Sequence, residues 1–279
     1  MRTAAAVLNI IQERGKRKLP LEGIYRQLYN PDLYLRAYAK LYPNKGAMTE
    51  GSTTETVDAM TLVKIHQIID DLRCERYRWT PLRRVYIPKA NHKFRPLGIP
   101  VVVDRCLQAM VKNALEPAWE ARFEGSSYGF RPGRSCHDAI EKIYGLARPN
   151  KTKKWVLDAD IKGAFDNISH DYLLKTIGSV PGKELIKQWL KAGYMEQEEL
   201  HTTETGTPQG GVISPLLANI ALHGMEAALG VKYDKRGQIV SKRAMVRYAD
   251  DFVVICSTHA RAEEARRRAG RCWLVWGFS

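Results

Sequence analysis

The stretch RYADDFVVIC, Arg247 to Cys256, sets two adjacent acids, Asp250 and Asp251, directly before an apolar run. Neighbouring carboxylates repel, and charge beside Phe252, Val253, Val254 and Ile255 is costly to bury unless something neutralises it. A second stretch, KKWVLDADIKGAFDNISHDYLL (Lys153 to Leu174), shows the same pairing of strand and acid. Alternation puts Trp155, Leu157, Ala159 and Ile161 on one side and Val156, Asp158, Asp160 and Lys162 on the other. Spacing alone does not choose between Asp158 and Asp160. Two carboxylates at a tight turn and a third at another strand's end form a cluster of hard oxygen ligands. Magnesium suits such a cluster, because a divalent ion offsets the repulsion and keeps the acids ionised. The substrate is then a phosphodiester or a nucleoside triphosphate. A glycosidase-like acid/base pair is the alternative chemistry, but it leaves the charge of the chain unexplained.

That charge is large. Among 279 residues there are 44 Lys and Arg against 30 Asp and Glu, a net +14. Such an excess favours a polyanion, either nucleic acid or an acidic membrane surface. No run approaches the roughly 18 apolar residues of a membrane span. The N-terminal MRTAAAVLNIIQERGKRK reads as an amphipathic helix rather than a signal peptide. The expected location is cytoplasmic, with no membrane partner, and nucleic acid remains as the anion. The five cysteines (Cys74, Cys106, Cys136, Cys256, Cys272) form no CxxC and read as free thiols. The scattered histidines support neither a zinc site nor a Cys/His nucleophile.

Along the chain, helical and strand patterns interleave as α+β. The segment IYRQLYNPDLYLRAYAKLYPNKG mixes Tyr25, Tyr29, Tyr34, Tyr38 and Tyr42 with Arg26, Arg36, Lys40 and Lys45. It reads equally as an RNA-binding arm or as a tyrosine-rich face packed on a core. Leu62, Ile65, Ile69 and Leu72 keep helical spacing, as do Val103, Leu107, Met110, Val111, Ala114 and Leu115. Between them, RRVYIPKANHKFRPLGIP (Arg83 to Pro100) predicts a basic β-hairpin, confined by its prolines to an edge or exposed ribbon. Ser169 is a candidate helix cap, and TGTPQGGVISPLLANIALH predicts a Gly/Pro loop followed by a helix.

Several of these blocks, in this order, resemble one family. YADD (Tyr248 to Asp251) resembles the polymerase motif of reverse transcriptases. VYIPKANHKFRPLGIP resembles the fingers hairpin of the bacterial group, and SSYGFRPGRSCHDAI the block after it. LDADIKGAFDNISH resembles the first metal-binding motif, and GTPQGGVISPLLANIALH the loop and helix beside the nucleotide. With the extension NPDLYLRAYAKLYPNKGA, the chain is similar to group II intron-encoded reverse transcriptases, which double as maturases. The resemblance runs from about Asn30 to Ser257.

The resemblance implies an α+β right-hand polymerase with fingers and palm, an antiparallel palm sheet and no thumb. It divides the chain into an N-terminal extension (1–60), fingers and their junction (61–152) and a palm (153–279). It implies Asp160, Asp250 and Asp251 as catalytic ligands of two Mg2+ ions; Asp166, next to the turn, reads as structural or as a support to those ligands. It implies nucleotide contacts from Lys89, Arg95, Phe165 and Gln209. Phe165 would act as the gate that favours deoxynucleotides, although a core aromatic fits the same position, and a surface lysine fits position 89. Arg131 and Arg134 either touch template backbone or brace the fold. The partners implied are an intron RNA template, a primer and dNTPs, and the reaction is attack of a primer 3′-hydroxyl on a dNTP. Two departures qualify this picture. Gly51-Ser52-Thr53-Thr54 stands where the family has GVDG, and the chain stops at Ser279, soon after YADD. The expectation is therefore a complete catalytic centre with impaired activity; an RNA-binding splicing cofactor without polymerase activity is the alternative.

Overall fold

The computed structural model describes residues 2–88 and 92–275. Met1, Lys89, Ala90, Asn91 and the last four residues lie outside the described residues. Helices α1 (Ala4–Lys16), α2 (Pro31–Leu41) and α3 (Leu62–Arg73) lead into strands β1 (Leu82–Pro88) and β2 (Phe94–Ile99), then helix α4 (Val102–Glu120). Next come α5 (Cys136–Ala147), β3 (Trp155–Asp160), α6 (His170–Ile177), α7 (Lys183–Leu190), β4 (Tyr194–Glu196) and β5 (Glu199–His201). Helices α8 (Ser214–Ala221) and α9 (Met225–Ala228), strands β6 (Arg243–Tyr248) and β7 (Asp251–Cys256) and helix α10 (His259–Val275) complete the described chain.

Two compact units result, one of residues 1–122 with 174–214, the other of 123–173 with 215–279. In the first, α4 is buried along most of its length and carries α1 and α2. Asn30 caps α2, its side-chain oxygen accepting from the Asp32 amide at 3.2 Å. Tyr34 is fully buried and donates to the Leu28 carbonyl at 2.7 Å, so this tyrosine belongs to the core. The expected hairpin forms, with Arg84 opposite Gly98 and Ile87 opposite Arg95. Its prolines sit where a missing amide is tolerated: β2 is an edge strand, and Pro88 ends β1. The sequence did not foretell that β1 also pairs in parallel with β4, extending the sheet to the order β2-β1-β4-β5. The Arg84 guanidinium, 3.6 Å from the centre of the Tyr194 ring, holds that junction.

In the second unit, β3, β7 and β6 form an antiparallel sheet in that order. Register assigns the faces. Asp158, Val253 and Val246 share one face, and Ala159, Phe252 and Arg247 share the other. On the first face, Ala139, Ile143 and Leu146 of α5 pack with Tyr128, Val246 and Val253. On the second, Phe252 meets Trp273 of α10 edge-on at 6.3 Å. Ser135 caps α5 with a reciprocal Asp138 capping box, and the Ser169 hydroxyl accepts from the Tyr172 amide at the start of α6. Among the described residues no helix is long and apolar enough to cross a membrane.

One buried acid in the first unit makes a prediction. Asp104 is 2% exposed; Tyr77 donates to it at 2.5 Å and is itself bonded by the Trp189 indole at 2.9 Å. Burial pushes the Asp104 carboxyl up to about 6, against the pull of the Tyr77 and Thr80 donors. The fold therefore holds this proton more tightly than the unfolded chain. The stability contribution is fully present below pH ~4 and is lost as pH rises to about 6, some 3 kcal/mol in all. Urea unfolding of wild type and Asp104→Asn at pH 4.5 and pH 7 should show wild type losing about 2 kcal/mol relative to the variant, part of the contribution being gone already at pH 4.5; a difference independent of pH contradicts it.

Candidate active site

The acids gather at one end of the second unit's sheet. Strands β6 and β7 are closed by a two-residue turn, Ala249-Asp250, because Tyr248 pairs with Asp251. Strand β3 lies on the other side of β7 with Asp160 directly opposite Asp251. Directly opposed residues place their Cβ atoms roughly 5 Å apart on one face of the sheet. Asp158, two residues back, shares that face but stands opposite Val253. The spacing that left Asp158 and Asp160 equivalent is thus resolved by register in favour of Asp160 as the neighbour of Asp251.

Hydrophobic anchoring explains why the acids stand where they do. Phe252, Val254, Ile255 and Cys256 are buried, so β7 cannot slide to relieve the repulsion at its mouth. Slipping by one residue would turn its apolar set outward. The cost is visible in Asp251, whose carboxyl is raised above the ordinary carboxylate range by burial and then by Asp160, Asp250 and Asp158. Among the described residues no group of three or more His, Cys, Asp or Glu side chains is disposed to hold a metal ion unaided. The all-oxygen set nevertheless fits magnesium, which takes one or two protein carboxylates and completes its shell with water and substrate phosphates. An acid whose neighbours raise its proton affinity is also one that a cation would relieve.

Phe165 lies in the same unit, half-buried, its ring edge-on to Phe130 at 6.0 Å. Asp166 is exposed on the turn before α6. Arg131 and Arg134 brace the fold: Arg131 donates to the Glu124 and Ser127 carbonyls at 2.7 and 2.8 Å, Arg134 to Gly125 and Ser127 at 2.6 and 3.0 Å.

Two of the expected nucleotide contacts belong to the first unit. Arg95 is exposed on β2. Gln209 lies in the glycine loop, its carbonyl accepting from the Gly98 amide at 2.6 Å, which ties the loop to the hairpin that bears Arg95. Gly210 permits that approach: its φ is +108°, and a Cβ there would stand 2.8 Å from the Gly98 oxygen. Ser214 serves the loop rather than the helix, donating to the Pro208 carbonyl at 2.8 Å. Lys89 lies outside the described residues.

An antiparallel sheet with acids on a hairpin turn and on the adjoining strand, together with a basic hairpin, is the fingers-and-palm fold of a right-hand polymerase. The chain belongs to the reverse transcriptase (RNA-dependent DNA polymerase) family, whose profile matches residues 87–279. It is 42% identical to the group II intron-encoded protein LtrA of Lactococcus lactis subsp. cremoris over 84% of its own length and 40% of that protein's. An uncharacterized 91 kDa protein in the cob intron of Schizosaccharomyces pombe is 38% identical over 85% of this chain and 31% of its own. Protein YkfC of Escherichia coli is 34% identical over 89% of this chain and 74% of its own. The chain thus spans well under half the length of the first two. A telomerase structure from Candida albicans aligns over 74% of this chain with 14% identity and a TM-score of 0.49, too loose a fit to carry an argument.

The opposed acids predict their own stability effect. Without divalent ions, Asp251→Asn removes a like-charge cross-strand pair and should stabilise the protein by several tenths of a kcal/mol, up to about 1. Denaturant unfolding in EDTA checks this, and a destabilised variant contradicts it.

Proposed function

We propose that this chain carries the catalytic centre of a group II intron RNA-directed DNA polymerase. It would add dNTPs to a primer 3′-hydroxyl on an RNA template, with Asp160, Asp250 and Asp251 as the essential acids. The observation that carries this reading is the opposition of Asp160 to Asp251 beside the Asp250 turn, in a chain whose family match spans it. The three acids would hold Mg2+, two ions by the family pattern. Bound there, magnesium supplies positive charge to the reacting phosphoryl oxygens and lowers the proton affinity of the attacking hydroxyl.

The remaining roles follow from side-chain chemistry. The planar fork of Arg95 suits a triphosphate, and Lys89 would add a second positive charge. Gln209, on a loop pinned by its own backbone, would contact the incoming nucleotide. The Phe165 ring, steadied by Phe130, would occupy the space of a 2′-hydroxyl and favour deoxynucleotides. No side-chain nucleophile is required, since the primer hydroxyl displaces pyrophosphate from the dNTP. The extension and hairpin would bind the intron RNA, and we assign the chain to the cytoplasm.

A second reading, an RNA-binding splicing cofactor, is favoured by α2. Tyr42 is exposed with its ring 5.7 Å from that of Tyr38, and Arg36 and Lys45 are exposed nearby in sequence. Primer extension on an RNA template with Mg2+ and dNTPs separates the two. Wild type should extend, and Asp250→Ala should lose on the order of 10³-fold or more, about 4 kcal/mol of barrier. Extension that survives Asp250→Ala contradicts the role of the acids; salt-sensitive binding to intron RNA with no extension favours the cofactor.

A further inference from the structure

Beneath the acid turn lies a closed polar ring that the proposed chemistry does not itself require. Arg247 stands two residues before the turn, projects from the face opposite Asp251, and is fully buried. Its Nη1 donates to the Ala249 carbonyl at 2.9 Å and to the Asn219 side-chain oxygen at 3.0 Å. Asn219, itself 2% exposed on α8, donates onward to the Gly129 carbonyl at 2.9 Å. Gly129 closes the ring by backbone contact, for a Cβ there would lie 2.2 Å from the Ala249 nitrogen. The main chain reinforces it: the Arg247 amide donates to Ser126 O, and the Tyr128 amide donates to Arg247 O, each at 2.9 Å.

The ring encloses a strained residue. Ala249 has φ +57°, the left-handed region that costs a residue with a Cβ roughly 1–2 kcal/mol and where glycine is usual in a two-residue hairpin. The burial of Arg247 is also costly. Its guanidinium is lowered to about 10 by burial, and among the described residues its Nε and Nη2 have no hydrogen-bond partner. A strained alanine and an incompletely satisfied buried cation persist only where the surroundings over-determine them, and such strain gathers at functional sites. Both meet at the carbonyl immediately before Asp250.

We propose that Arg247 and Asn219 are positioning residues: with Gly129 they clamp the Ala249-Asp250 turn from below and hold Asp250 and Asp251 together against their repulsion. This rests on the reading that the two acids hold the metal and serve catalysis. It is a claim about orientation, since neither residue lies on the acid face.

Asn219→Ala opens the ring without altering charge, and Gly129→Ala pushes on the same turn from the main-chain side without removing a side-chain hydrogen bond. The full chain of each variant is compared with wild type by circular dichroism, by primer-extension kcat and KM for the RNA template-primer, and by electron paramagnetic resonance titration with Mn2+ alone. A folded variant should keep KM within twofold, lose at least tenfold in kcat, and bind Mn2+ at least threefold more weakly. The Mn2+ arm reads the ring even in a chain that extends no primer. A folded variant with kcat and Mn2+ affinity within twofold of wild type overturns the proposal, as does a loss confined to KM. Asp250→Ala that leaves extension intact would overturn the reading of the acids. An inactive Asp250→Ala beside an unaffected Asn219→Ala overturns the clamp alone.

Discussion

The second unit is organised around a repulsion. Pairing β3 with β7 sets Asp160 opposite Asp251, with Asp250 one residue away on the turn. Like charges directly across a sheet destabilise it, and the fold bears this only because the strands beneath are anchored. Val254, Ile255 and Cys256 on β7 are at most 1% exposed, with α5 on one face and α10 on the other. The acids stand where the sheet leaves its helical cover, so they meet solvent while their backbone belongs to the core. This is how a flexible carboxylate gains a fixed position, by inheriting the rigidity of a buried strand.

Polar burial does the rest. The second unit buries Arg131, Arg243 and Arg247, together with Glu226, Ser126 and Asn219. Buried charge is expensive unless compensated; the arginines are compensated largely by backbone carbonyls, and the Glu226 carboxylate accepts from the Ser126 and Tyr233 hydroxyls. Arg131 and Arg134 both bond the Ser127 carbonyl, and the 126–128 segment in turn pairs with Arg247. Arg131 and Arg134, for which the sequence offered either template contact or a bracing role, form scaffolding for the turn. Arg95, by contrast, stands exposed on β2.

Much of this was legible in the sequence because it rests on short-range pattern. The alternation of LDAD, the apolar run after Asp251, the prolines of the basic hairpin and the Ser169 cap each specify local structure within a few residues. The choice of Asp160 over Asp158 was not legible from spacing, since both share a face; it came from the family resemblance, and the register with β7 sets Asp160 opposite Asp251. The β4–β5 addition was missed because each strand is only three residues long, too short for a periodic signal. The Arg247 ring was missed for another reason. Its partners are separated by 28 and 90 residues, and nothing local marks Asn219 as more than a polar position on a helix.

The central proposal is that the opposed acids, fixed by the anchored strands, bind a divalent cation that relieves their repulsion. The most direct measurement is the thermal unfolding midpoint of wild type and Asp160→Asn as Mg2+ is raised from zero. Binding to the folded state alone stabilises by RT ln(1 + [L]/Kd), about 2.7 kcal/mol at a hundredfold excess over Kd. The midpoint of wild type should climb with Mg2+ while that of Asp160→Asn stays nearly flat. A wild-type midpoint indifferent to Mg2+, or an equal rise in both proteins, would contradict the account.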